Sequence, residues 1–112
     1  MTEDARNAYT LKRRTHWDSR ALKYHADAGW GRFYHERITE IFRFLVLPKQ
    51  NVLEIGCGQG DLLAALDPAK GVGVDFSGEM VRRGEQQHPD LRFVQQDAHE
   101  LELDETFNVL IL

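Results

Sequence analysis

The stretch "NVLEIGCGQGDLLAAL", residues 51–66, decides the fold of this chain. Residues 51–55 are a short apolar run with β-branched members, and alternating glycines follow it, so the run predicts a buried strand that ends in a tight turn. Residues 61–66 predict a short helix directly after the turn. A strand, a glycine turn and a helix in this order are typical of the ligand-binding edge of an α/β sheet.

The rest of the chain repeats this alternation of strands and helices. Residues 71–76, "GVGVDF", predict a second strand, and Ser77 predicts the N-cap of a helix that continues to residue 87. Residues 91–95, "LRFVQ", predict a third strand, and residues 107–112, "FNVLIL", predict a fourth. Strands separated by helices at this spacing predict a parallel sheet with right-handed crossovers.

Composition limits the kind of protein. The chain has 112 residues, of which 42% are hydrophobic, so it is long enough for one small domain. Its single cysteine excludes an internal disulfide, and no apolar run approaches the roughly 18 residues that a membrane span needs. The first ten residues are polar and carry no secretory signal. A cytoplasmic protein without membrane contact is therefore predicted.

Charge divides the chain into two parts. Residues 6–32 have seven basic and two acidic side chains, whereas residues 33–112 have seven basic and fourteen acidic ones. We therefore predict that residues 1–31 are a basic, aromatic lid or flexible segment, and that residues 32–112 are the α/β domain. An amphipathic helix over residues 32–47 begins that domain. Because nucleic-acid contacts use mixed basic and aromatic side chains, a non-enzymatic module that binds nucleic acid or a partner is the alternative.

The glycine turn argues against a dinucleotide. Gly56, Gly58 and Gly60 form G-x-G-x-G, whereas the dinucleotide fingerprint requires a further glycine at position 61, where this chain has Asp61. Asp61 and the neighbouring Glu54 would repel a pyrophosphate, which disfavours a dehydrogenase. A turn that serves packing alone is the other reading of these glycines.

The same acidic residues favour a ligand with a cationic group. The ammonium group at the methionine end of S-adenosylmethionine would be attracted by Glu54 and Asp61. Asp75 ends the second strand, where an acidic side chain accepts hydrogen bonds from ribose hydroxyls, and Asp97 follows the third strand, where it can meet an adenine amino group. The pattern therefore predicts a nucleoside that is linked to an amino acid.

In four motifs the sequence resembles the class I S-adenosylmethionine-dependent methyltransferases. The motifs are "VLEIGCGQG" (52–60), "GVGVDFSGEM" (71–80), "QQDAHEL" (95–101) and "FNVLIL" (107–112), and the resemblance covers residues 32–112. It implies a doubly wound, Rossmann-like parallel sheet in strand order 3-2-1-4, truncated after the fourth strand. It also implies an enzyme that transfers a methyl group from S-adenosylmethionine to a small-molecule acceptor.

The resemblance also implies which residues bind the cofactor, and it implies no catalytic residue in this part of the family's fold. The residues are Glu54, Gly56, Gly58 and Gly60 at the methionine part, Asp75 at the ribose, Phe76 and Met80 beside the adenine, and Asp97 with the Ala98 backbone N–H at the adenine edge. Phe76 and Met80 also fit a plain core role. One of Trp17, Tyr24 and Trp30 is expected to close the site.

Other polar residues have simpler readings. Cys57 is predicted to be a small apolar filler, and the histidines show no metal-ligand spacing, so no metal is predicted. Among the histidines, His99 is the candidate for a cofactor contact. Asn108 stands where the family commonly has an acidic residue, and we interpret it as a structural residue near the start of the fourth strand.

The end of the sequence on an apolar strand predicts an incomplete fold. In the family a fifth strand pairs with the outer edge of the fourth, and the following segment supplies residues on the acceptor side. We therefore expect this fragment to be inactive by itself and to self-associate weakly through its exposed edge strand.

Overall fold

The computed structural model describes residues 2–23 and 30–112. Within these ranges four α-helices, one 3-10 turn and one four-stranded sheet alternate along the chain. Their order is α1 (Glu3–Lys23), α2 (Trp30–Leu45), β1 (Asn51–Ile55), α3 (Asp61–Ala65), β2 (Lys70–Asp75), α4 (Gly78–Gln87), β3 (Arg92–Gln95), the 3-10 turn (Ala98–Glu100) and β4 (Val109–Ile111).

All strand pairs of the sheet are parallel, and the strand order is β3-β2-β1-β4. This confirms the predicted fold class and strand order. Leu53 on the central strand β1 lies between Val72 of β2 and Leu110 of β4. Because the strands are parallel, the segments that follow β1, β2 and β3 all leave the sheet at the same edge.

Apolar side chains pack on both faces of the sheet. On one face, α2 and α3 cover the sheet through the cluster of Val52, Leu63, Leu66 and Ile111, with Phe42 and Val46 packed against it. On the other face, the connection between β3 and β4 covers the sheet in place of a helix, through Leu101, Leu103 and Phe107 against Leu53, Val72 and Val74. The side chains of each strand therefore alternate between the two faces of the sheet.

The helix α2 confirms the predicted amphipathic helix, although it covers Trp30–Leu45 rather than residues 32–47. Phe42 and Val46 pack on the sheet, whereas Phe33 and Phe44 are exposed on a different side of the helix. The helix ends three residues before Pro48.

The N-terminal segment contains a helix of 21 residues, α1. Most of its described side chains are exposed, and its contacts with the rest of the fold are made near the start of α4. The division at residue 31 stays a prediction. Among the described residues, no helix is long and apolar enough to cross a membrane.

The fourth strand is shorter than predicted, because only Val109–Ile111 pair with β1. Phe107 instead packs in the core beneath the sheet. Asn108 fixes the start of the strand: its Oδ1 accepts from Asn51 N at 3.1 Å, and its own N donates to Asn51 O at 2.9 Å. Leu110 is 58% exposed. In the described part of the chain, β4 pairs with β1 alone.

Candidate cofactor-binding site

The glycine turn after β1 needs glycine at three positions. Gly56, Gly58 and Gly60 have φ angles of 78°, 57° and 82°, in the left-handed region that side chains disfavour. Gly56 N and Cys57 N donate to Val74 O at 2.7 and 3.0 Å, so the turn lies across the end of β2. The sequence motif is therefore a consequence of backbone conformation at each of the three positions.

Asp75, the last residue of β2, connects this turn to the start of α4. Its Oδ2 accepts from Gly58 N at 2.8 Å, and its Oδ1 accepts from Ser77 N at 2.9 Å. Each carboxylate oxygen keeps a second lone pair for a ligand. The carboxylate therefore holds the glycine turn against the start of α4 and can still accept hydrogen bonds from a ligand.

A cavity of about 390 Å³ lies at the edge where the strands end. Its volume is in the range of small-molecule sites. Seven of the nine predicted cofactor-binding residues line it: Gly56, Gly58, Asp75, Phe76, Met80, Asp97 and Ala98. The sequence did not single out four other wall residues, which are Arg13, Ile55, Val74 and Gln96.

Glu54 and Gly60 are the two predicted site residues outside this wall. Glu54 is only 6% exposed, and burial raises its pKa to about 7, with further contributions from the charges of Asp75 and Asp61. Gly60 is buried, and a Cβ atom there would meet the Phe93 ring at 2.6 Å. Gly60 therefore allows close packing behind the turn.

Cys57 is a filler inside the turn, as the sequence predicted. Its side chain is buried, and its thiol lies over Gly73, where an added Cβ would meet Sγ at 2.7 Å. Burial, together with the charges of Asp75 and Glu54, raises the pKa of this thiol. A thiol that stays protonated is a poor nucleophile.

Two cationic side chains of α1 lie over the ring of Phe76. The guanidinium carbons of Arg13 and Arg14 lie 5.2 and 5.1 Å from its ring centroid, within cation–π range. Arg13 also lines the cavity. The sequence signal for these contacts was only the mixture of basic and aromatic residues before residue 32.

Asp18 joins α1 to the N-terminus of α4. Its Oδ1 accepts from the hydroxyl of Ser77 and, at 3.4 Å, from Glu79 N. The Ser77 hydroxyl also accepts from Met80 N at 3.3 Å, which confirms the predicted N-cap. Tyr24 and the side chains of Trp17 and Trp30, predicted to close the site, lie outside the described residues.

Asp97 is the N-cap of the 3-10 turn after β3. Its Oδ1 accepts a hydrogen bond from His99 N at 2.9 Å, so one of its acceptor oxygens stabilises the loop to which Asp97 itself belongs. His99 lines the cavity, as does Ala98. In the part of the chain that the structure describes, no group of His, Cys, Asp and Glu could hold a metal ion.

Comparison with known proteins gives a family and a fold. The model of the methyltransferase domain family matches residues 52–112, which is more than half of the chain. The chain therefore belongs to the methyltransferase domain family, which confirms the resemblance. A search of curated protein sequences gives no match.

Solved structures share the fold. The DhpI–SAH complex matches with a TM-score of 0.75 at 20% identity, over 90% of this chain and 51% of that chain. Magnesium protoporphyrin IX methyltransferase (ChlM) from Synechocystis PCC 6803, with bound SAH, matches with a TM-score of 0.74 at 21% identity, over 90% of this chain and 56% of that chain. A chain of a complex that contains the Haloferax volcanii Trm112 methyltransferase activator matches with a TM-score of 0.64 at 25% identity, over 83% of this chain and 44% of that chain. This chain thus spans about half the length of these structures.

Proposed function

We propose that this chain is the cofactor-binding part of an S-adenosylmethionine-dependent methyltransferase that acts on a small-molecule acceptor. One observation carries the proposal: the glycine turn after β1, Asp75 after β2 and Asp97 after β3 border a single cavity. Family membership and the SAH named in two of the matched structures support it.

The residues of the cavity fit the parts of this cofactor. An added Cβ at Gly56 would have nothing within 4 Å, so the backbone there is open to a ligand. Asp75 has acceptor capacity for ribose hydroxyls beyond its two backbone bonds. Phe76 and Met80 offer apolar and aromatic surface for adenine, with Asp97 and the Ala98 N–H at its edge. Glu54 acts on the ammonium group from behind the turn.

When bound, the cofactor supplies an electrophilic methyl group on a sulfonium. The described residues of this chain bind it and fix its orientation, and we assign none of them a proton transfer to or from the methyl acceptor. Holding a reactant in one geometry is itself a large contribution to rate. The acidic wall, with Asp75 and Asp97, complements the positive charge of the cofactor.

The acceptor and any protein partner are a separate question. One matched structure joins a methyltransferase activator to a protein named as a methyltransferase, and we include an activating partner in the proposal on that basis. The nucleic-acid module is the weaker alternative, because Arg13 and Arg14 contact Phe76 at the cavity. Polyanion binding that falls steeply with salt would favour it.

Titration of the chain with S-adenosylhomocysteine, followed by amide chemical shifts, tests the proposal. We expect shifts at residues 56–58, 75–77 and 97–99. Asp97→Ala should weaken binding, whereas Asp90→Ala, a change of an exposed acid before β3, should not. Nicotinamide adenine dinucleotide serves as the control ligand. If millimolar S-adenosylhomocysteine moves none of these resonances, the proposed function is wrong.

A further inference from the structure

Glu54 is a deeply buried acid with an incomplete set of partners. It is 6% exposed, and its Oε1 has no hydrogen-bond partner among the described residues. In the sheet it lies between Gly73 of β2 and Ile111 of β4. An ionised carboxylate in such a place loses hydration without compensation, so the neutral form is favoured.

The charged groups around Glu54 also favour its neutral form. Asp75 on β2 and Asp61 at the start of α3 both act on it by charge, and the Cys57 thiol of the turn is in electrostatic contact with it. Basic groups of the neighbouring helices have other partners, among them His88 after α4, which bonds Asp61 at 2.8 Å, and Arg43 of α2, which bonds Ala65 O at 3.0 Å.

Asp75 couples the charge of a ligand in the cavity to the ionisation of Glu54. It lines the cavity, and it is also the first of the two acids whose charge raises the pKa of Glu54. A cation that enters the cavity beside Asp75 offsets that charge and removes part of the cost of ionising Glu54. Binding of a cationic group and ionisation of Glu54 must therefore favour each other.

We infer that the Glu54 carboxyl group is largely protonated in the free protein below neutral pH and releases its proton to solvent when an ammonium group enters the cavity. The inference rests on the proposed function, in which that group belongs to the methionine end of the cofactor. It makes Glu54 a charge-sensing residue, so cofactor affinity depends on pH. No bond other than the O–H bond of the carboxyl group is broken.

Calorimetric titration with S-adenosylhomocysteine at about pH 5.5 and pH 7 tests the inference. Because only the ionised form binds tightly, affinity should rise about tenfold between these values. Titrations at pH 7 in two buffers of different ionisation enthalpy should show release of about half a proton per ligand. The carbon chemical shift of the Glu54 carboxyl group should report its ionisation directly.

Three controls separate Glu54 from other groups. Glu54→Gln keeps the shape of the protonated form, so it should bind equally at both pH values, as weakly as the unchanged chain at pH 5.5. 5′-Methylthioadenosine lacks the ammonium group, and its affinity should not change with pH. His99→Asn removes the imidazole from the cavity wall, and the pH dependence should persist.

Two results would overturn the inference alone. One is S-adenosylhomocysteine affinity that is equal at the two pH values in the unchanged chain. The other is the same pH dependence in Glu54→Gln, whose fold is checked by its amide spectrum. If S-adenosylhomocysteine binds at neither pH, the proposed function fails together with the inference.

Discussion

The Asp75 carboxylate accepts a hydrogen bond of 2.8 Å from the Gly58 backbone N–H, across 17 residues of sequence. Its other oxygen accepts from Ser77 N. The acid at the end of β2 therefore sets the shape of the glycine turn as well as facing the cavity. Substitution here changes two properties at once.

We predict that Asp75→Ala lowers both affinity and stability. Loss of bonds to a charged acceptor should weaken S-adenosylhomocysteine binding at least about tenfold and lower the free energy of unfolding by about 1–3 kcal/mol. Calorimetry and urea denaturation measure the two effects. Asp75→Asn keeps one acceptor oxygen but places an amide NH2 against a backbone N–H donor, so it should lose stability as well. Unchanged affinity in Asp75→Ala would remove this residue from the site.

Substitution of different glycines in the turn should lower the stability of the chain by different amounts. Gly56→Ala forces a side chain into the left-handed region, which should lower the free energy of unfolding by about 1–2 kcal/mol. Gly60→Ala adds a clash with the Phe93 ring and should lower it by about 2–5 kcal/mol. Because Gly56 borders the cavity, its variant should lose affinity even where it is folded. Equal stability of the two variants would contradict the packing role of Gly60.

Stability should fall as pH rises, because of Glu54. Its pKa is about 7 in the folded chain and ordinary when unfolded, so its contribution is fully present below about pH 4.5 and is lost as pH rises through 7. Relative to Glu54→Gln, the unchanged chain should lose about 3 kcal/mol between pH 4.5 and pH 8. Denaturation at several pH values measures the difference, and a constant difference would contradict the buried carboxyl group.

The attachment of α1 should depend on Asp18. Asp18→Ala removes the acceptor for Ser77 and Glu79 N, and amide hydrogen exchange in α1 should become about tenfold faster. Asp4→Ala, a change of an exposed acid in the first turn of the same helix, is the matched control. Equal exchange rates in the two variants would show that Asp18 does not hold the helix.

The open edge of β4 should cause weak self-association of the 112-residue chain. Leu110 is 58% exposed on this strand, and a charged residue on an edge strand opposes pairing. Leu110→Lys should therefore abolish concentration dependence in sedimentation. Leu45→Lys, which changes an exposed leucine on α2, should not. A strictly monomeric unchanged chain would contradict the prediction.

Local patterns in the sequence were sufficient for the sheet and for most of the cavity wall. Strand ends in a parallel sheet converge, so Gly56, Asp75 and Asp97 could be grouped from their positions in the sequence. The distinction between Gly56 and Gly60 could not be predicted, because it depends on the Phe93 ring. Arg13 and Phe76 are also far apart in sequence, and nothing local in either residue indicates the contact.

The pairing of β4 with β1 has a consequence for the order of folding. Asn51 and Asn108 are 57 residues apart in sequence, whereas β1 with β2 and β2 with β3 are joined by short crossovers. Closing the longer loop costs more chain entropy, which must be lost ahead of the contacts that compensate for it. We expect β1, β2 and β3 to assemble first and β4 to join last. The cavity, whose described wall includes no residue of β4, would then form while the sheet is still incomplete.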